Sequence, residues 1–296
     1  MPNPHSLLGW NVTGFHGFGT RLVGHRDQPN IQKRMIAADE RLKDWEIELE
    51  RRATEQVTDH EWGQSFINPS LPLIWDANWV LIEQPGLGFE EVAAIADEVL
   101  GGRGMKHRTV LVADLDAGEE MVPDVLARPG WSVERGVRMV LRGAPDREPE
   151  VEVREVRQTE VEPLRRELIR AGLPAGAGAT EQTIDQLLEW DRRLGAAGGD
   201  RWFVAELGGK PASACRLLSM EGSGVGQVED VGTLEAARGH GLARAVTVAA
   251  ARASVADGNE VTFLGALADD WPRLMYAKLG FELLRENVAF RCRPQR

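Results

Sequence analysis

Cysteine, tyrosine and long apolar runs are scarce in this 296-residue chain: there are two cysteines and one tyrosine. Cys215 and Cys292 lie in apolar, strand-like runs, without metal-ligand spacing or a histidine cluster beside them. They read as buried thiols of a reducing compartment, and no metal is expected. No run approaches the roughly 18 apolar residues of a membrane helix. The N-terminus lacks the basic start and apolar core of a signal peptide, so a cytoplasmic location without membrane partners is expected. Basic charge is short as well. A net charge of −11 with no basic stripe argues against nucleic acid as a partner, because a polyanion is repelled. What is present, 43% hydrophobic and 27% charged residues, suits a globular chain long enough for two domains, each with a core.

From Glu150 onward, apolar spacing and Gly/Pro punctuation set out an ordered series of elements. A strand at Val151–Val156 is followed by helices at Val161–Ala171 and Thr180–Leu194. Strands at Arg201–Glu206 and Pro211–Met220 flank the hairpin turn Leu207-Gly208-Gly209-Lys210. A further strand runs from Gln227 to Leu234, and Leu242–Ala256 is an alanine-rich helix stopped by Asp257-Gly258. Val261–Leu267 is a short strand. Asp269 or Asp270 caps the next helix, which accepts Pro272 early and ends at Gly280. Two closing strands, Phe281–Arg285 and Val288–Cys292, complete a mixed α/β half.

Between the strand at Gln227–Leu234 and its following helix stands Arg238-Gly239-His240-Gly241-Leu242-Ala243. Two glycines let the backbone curl with its N–H groups facing one way, and the helix start adds partial positive charge there. Such a turn is a socket for phosphate. Downstream, Tyr276-Ala277-Lys278-Leu279-Gly280-Phe281 closes the last helix. The R-x-x-G-x-A turn and this second signature, in this order over about the last 150 residues, resemble the GNAT superfamily of acetyl-CoA-dependent N-acetyltransferases.

The resemblance implies that coenzyme A's pyrophosphate lies on the backbone N–H groups of Gly239 to Ala243, with Arg238 and Arg244 offsetting the local acidity. His240 holds a variable position in the motif and contributes main chain. The resemblance also implies that the strand before the turn splays from its neighbour and pairs with the pantetheine arm through Val231 and Thr233. Tyr276 stands where the family has its general acid, and a phenol with pKa about 10 is protonated at neutral pH and can donate to a departing thiolate. Glu229 shares the face of Val231 and Thr233 if the strand is regular, whereas a bulge transfers that position to Asp230; either acid can draw a proton from the amine, directly or through water. Where the family often has Asn, seven residues before the tyrosine, this chain has Asp269, an acceptor when ionised, read here as a helix cap.

The N-terminal half reads as a worn copy. Gly130-Trp131 precedes a strand at Ser132–Arg142 much as Gly280-Phe281 precedes its own. Upstream come a strand at Trp79–Gln84, a turn at Pro85–Gly88, a helix at Phe89–Leu100, a strand at Arg108–Asp114 and a helix at Glu119–Ala127. The chemistry is missing: no arginine precedes the turn, Glu90 and Glu91 occupy the helix start, and Leu126 stands in the place of Tyr276. Gln32–Gln56 is a charged structural helix. Residues 1–29 form a loosely ordered extension whose His5, His16 and His25 lack ligand spacing. The expected architecture is therefore α/β, with two tandem GNAT-like domains, 30–147 degenerate and 148–296 catalytic. The expected reaction is acetyl transfer to a primary amine of a small molecule, with an acyl-CoA sensor or a protein N-acetyltransferase as alternatives. A homodimer is the other expected association, and variable segments such as Ala171–Thr183 shape the acceptor pocket.

Overall fold

The computed structural model describes residues 29–173 and 180–292, with backbone only for residues 29–35. The expected extension with its three histidines, and residues 174–179 of the acceptor-pocket segment, lie outside the described residues. The first half runs α1 (Pro29–Ala53), β1 (Gln56–His60), β2 (Gly63–Ile67), β3 (Trp79–Ile82), α2 (Phe89–Val99), β4 (Arg108–Val112), α3 (Leu115–Ala127) and β5 (Trp131–Leu141). The second continues with β6 (Val153–Val156), α4 (Gln158–Gly172), α5 (Glu181–Gly198), β7 (Asp200–Leu207), β8 (Lys210–Leu218) and β9 (Val225–Thr233). It ends with α6 (Leu242–Ala256), β10 (Val261–Leu267), α7 (Pro272–Lys278) and β11 (Phe281–Cys292). These gather into two compact units. The C-terminal unit comprises Arg138–Ala266 and Asp270–Leu283, and the N-terminal unit comprises the described residues up to Val137 together with 267–269 and 284–292.

Strand order in the N-terminal unit is β1-β2-β3-β4-β11-β5. Its β3–β4 ladder is parallel, while β11 runs antiparallel to β4 with Ala289 opposite Leu111. On α2 the stripe Val92, Ala93, Ala96 and Val99 recurs at helical spacing and meets Val80, Val110, Val288 and Phe290 in the core. Phe89 anchors it edge-on to Trp131 (5.1 Å) and Phe290 (6.0 Å). The charged helix α1 is structural, as expected. Its Asp39 (3.0 Å) and Glu46 hold Arg285, which is completely buried on β11.

His107 lies buried in the same unit, its Nε2 donating to the Asn78 carbonyl at 3.3 Å and its ring stacked on Trp75 at 5.2 Å. Burial pushes its pKa down to about 4, with Arg291 and Arg108 adding to the shift and the Asn78 hydrogen bond opposing it. A depressed folded-state pKa gives stability that is complete above the unfolded value of 6.5 and lost as pH falls toward 4. Hydrogen exchange in the N-terminal unit is therefore expected to report a loss approaching about 3 kcal/mol across that window, and His107→Gln should flatten the profile. A wild-type profile without this slope would reject the assignment.

In the C-terminal unit the order is β10-β9-β8-β7-β6, with β10 parallel to β9 and the other ladders antiparallel. Successive residues of β8 take opposite faces. Ala214 packs with Val161, Leu164 and Leu168 of α4, and Arg216 meets Asp191 of α5 on the same side. Cys215 faces the other way and donates its Sγ–H to the Val246 carbonyl of α6 at 3.1 Å. Helix α5 starts at Thr180, whose hydroxyl accepts from the Thr183 amide at 3.1 Å.

Several expectations change. The two closing strands are one, β11, because Glu286 and Asn287 stay in the ladder direction instead of turning. Residues 284–292 of that strand belong to the N-terminal unit. Asp269 is not the cap of α7: Asp270 Oδ1 accepts from the Trp271 amide at 2.7 Å, and Trp271 is the capping position. Cys292 is only partly buried, so of the two thiols Cys215 alone is enclosed. The β1–β2 hairpin was not expected from its alternation, since Gln56–His60 carries almost no apolar residue and packs little.

Candidate active site

The glycine turn is present as expected. Gly239 (φ +82°) and Gly241 (φ +77°) both take the left-handed conformation that side chains disfavour, and open space surrounds each. Gly241 caps α6, so the amides of Leu242, Ala243 and Arg244 have no carbonyl one turn earlier to bond. Among the described residues no acceptor meets the amides of Gly239 to Arg244. Nor does any acidic side chain occupy the first turn of α6. Arg238 and His240 are exposed, with His240 Nδ1 donating to the Arg238 carbonyl at 3.0 Å. The cradle fits a diphosphate.

Arg244 does not fit its expected place. It is buried and tied to Asp146 and, at 2.8 Å, to the Arg147 carbonyl. The Arg244 guanidinium holds the Asp146 carboxyl below its ordinary pKa. The same segment reaches α7: the Gly280 carbonyl accepts from Arg142 (2.9 Å) and Gly143 (3.1 Å), and the Lys278 carbonyl from Asp146 (2.8 Å). Gly280 (φ +91°) is required there, since a Cβ would lie 2.3 Å from the Gly143 carbonyl oxygen. Residues 142–147 thus strap α6 to the end of α7, joining the element with the glycine turn to the element with Tyr276.

Beside the turn the sheet opens. The β9–β10 ladder pairs Val225, Gly226 and Gln227 with Val261, Thr262 and Phe263 and goes no further, although β9 continues to Thr233 and β10 to Leu267. Val231 and Thr233 therefore lie beyond the last pair of that ladder. On its other edge β9 stays paired with β8, with Thr233 opposite Ser213.

A register shift opposite Cys215 marks a bulge in β9. Asp230 sits in it at φ +55°, the one non-glycine residue with positive φ among the described residues. The expected alternative, one acid or the other, is replaced by both: Glu229 and Asp230 turn to the α4/α5 side, where Arg216 lies. Arg216 Nη2 is 3.3 Å from Glu229 Oε2, and Arg216 Nε is 2.7 Å from Asp230 Oδ2. Arg165 of α4 pairs with Asp230 and, at 2.8 Å, with Asp191 of α5. Burial raises the Asp230 pKa, and the guanidiniums of Arg165 and Arg216 oppose that rise. For Arg216 burial works against the charge, yet Asp230, Asp191, Glu229 and Asp200 together hold its pKa above the ordinary value. Both guanidiniums lie over the Trp202 ring, at 5.6 Å for Arg216 and 6.0 Å for Arg165.

Tyr276 is 1% exposed and packs edge-on against Phe281 at 6.4 Å. The start of α2, in the N-terminal unit, differs from the start of α6. Glu91 Oε2 accepts from the Gly88 amide at 2.8 Å, Glu90 pairs with Arg128, and Leu126 is exposed. The start of α2 is thus occupied by its own carboxylates. Arg165, Asp191, Arg216 and Gln227 were not singled out from sequence. A signal existed for the arginines: Arg216 interrupts Ala214-Cys215-Arg216-Leu217-Leu218, and Arg165 lies in the apolar stripe of Val161, Leu164 and Leu168. A charge set in an apolar face needs a buried partner.

Residues 216–290 match the family described as FR47-like protein. No curated protein matches the chain. Among solved structures it resembles a conserved protein of unknown function from Staphylococcus epidermidis (TM-score 0.63, 12% identity, 82% of this chain and 95% of that one). It also resembles a GCN5-related N-acetyltransferase from Kribbella flavida (0.56, 16%, 88% and 96%) and another from Sphaerobacter thermophilus (0.52, 15%, 79% and 78%). These findings give the chain the fold of the GCN5-related N-acetyltransferase structures it resembles, with an FR47-like match over residues 216–290.

Proposed function

We propose that the C-terminal unit is an acetyl-CoA-dependent N-acetyltransferase that acylates a primary amine of a small molecule in one ternary complex. The observation that carries this reading is the pairing, within one unit, of unbonded amides at Gly239–Arg244 with the open edge of β9. Acetyl-CoA supplies the activated thioester. The amides and the dipole of α6 hold its diphosphate, at about 0.3–1 kcal/mol for each exposed helix-terminus interaction and more where partly buried. Val231 and Thr233 offer main-chain groups to its amide arm. Glu229 draws a proton from the acceptor ammonium, directly or through water, and Tyr276 donates to the departing thiolate. Asp230, with both oxygens on arginines, holds the bulge.

The experiment is to follow free thiol while the protein turns over acetyl-CoA with a panel of small amines. Thiol release that depends on an amine is the expected result. Acetyl-CoA binding without release for any amine would reject catalysis in favour of a sensor.

A further inference from the structure

Gln227 stands at the point where β9 and β10 part, its ladder partner Phe263 being the last before the gap. Its side chain is 2% exposed. Nε2 donates to Glu229 Oε1 at 2.8 Å, on the side of the sheet that holds Arg216. The amide has one sensible orientation, because an ionised carboxylate only accepts and must face the nitrogen. That leaves Gln227 Oε1 buried without a donor among the described residues. A buried carbonyl oxygen of this kind is costly unless something brings it an N–H or O–H.

The surroundings state the charge of what fits. Four carboxylates, those of Asp191, Asp200, Glu229 and Asp230, gather about the guanidinium of Arg216, with Arg165 as the second cation of the cluster. Negative charge is in excess, so a cationic donor is favoured over a neutral one and an anion is repelled. A crevice between α4 and α5, lined by Glu162, Leu188 and Trp202, reaches Arg165 and Asp191 from the same side.

We propose that Gln227 is an acceptor-binding residue: Oε1 takes an N–H of a cationic amine whose nitrogen is brought beside Glu229 at the mouth of the β9–β10 gap. This rests on the acetyltransfer reading and deepens it, naming the acceptor as an alkylammonium class rather than an aromatic amine or an alcohol. The side-by-side pair divides the work. Glu229 supplies charge and basicity, and Gln227 orients the nitrogen without competing for its proton.

The test compares wild type with Gln227→Met, which keeps the length and apolar contacts of the side chain and removes the acceptor. KM for alkylamines is expected to rise about 10- to 100-fold, the worth of one hydrogen bond to a charged group, with acetyl-CoA affinity unchanged. Gln227→Glu, which keeps an acceptor, is expected to retain the low KM. It should also move the acidic limb of the pH–rate profile upward, since two adjacent carboxylates resist joint ionisation. Equilibrium binding of the same amines in the presence of coenzyme A runs in parallel. A wild type that binds amines 10-fold or more tighter than Gln227→Met yet releases no thiol would keep this inference and remove the acetyltransfer reading. Equal amine affinity in the two proteins, or no amine binding by wild type, overturns the inference.

Discussion

Arg216→Ala is expected to destabilise the C-terminal unit by about 3–5 kcal/mol, the usual consequence of removing one member of a buried ion cluster. The guanidinium is completely buried and has Asp230 at 2.7 Å, Glu229 at 3.3 Å and the Asp191 carbonyl at 3.0 Å. Deleting it leaves carboxylates in a dry interior facing one another. The lost methylenes add a smaller cavity cost. Arg216→Lys should recover only part of the loss, because one ammonium cannot span acceptors spread around a planar fork. Hydrogen exchange of the β8 and β9 amides measures the unit by itself, which avoids assuming that a two-unit chain unfolds in one step. A change below about 1 kcal/mol would show that water reaches the cluster and screens it.

Tyr276→Phe is expected to lower kcat by about 100- to 10,000-fold, the range for loss of a positioned proton donor. Acetyl-CoA affinity should be unchanged, since the proposed grip is main chain at Gly239–Ala243. The substitution separates the two roles open to a buried tyrosine. Phenylalanine keeps the ring and its edge-on contact with Phe281, so packing is preserved while the hydroxyl is gone. A kcat within tenfold of wild type, with folding intact, would assign Tyr276 to packing and require another source for the proton.

Much of this was readable because it is local. Helices α2 and α6 follow from apolar spacing, and the glycine turn from two residues that tolerate left-handed backbone. The charge at the start of α2 was readable too, since Glu90 and Glu91 stand in its first turn. Where expectation and structure part, geometry that the sequence pattern does not carry decided. β11 was read as two strands; it is one, and its end, Ala289–Cys292, pairs with β4, more than 170 residues earlier. Asp270, rather than Asp269, meets the Trp271 amide, a one-residue difference that only local geometry settles.

The sequence by itself determined the glycine socket, the single tyrosine after it and the carboxylates at the start of α2, because each depends on residues close together in the chain. Tertiary structure alone decided what the charges do. Arg165, Asp191, Arg216 and Asp230 come from two helices and two strands, and only folding shows that they neutralise one another beneath Trp202. It also showed that the bulge turns both acids to one side and that Arg244 is held by Asp146 rather than left open to a diphosphate. The reason is physical: a backbone conformation is largely a near-neighbour matter, whereas the state of a buried charge depends on whichever distant groups the fold brings within a few ångströms.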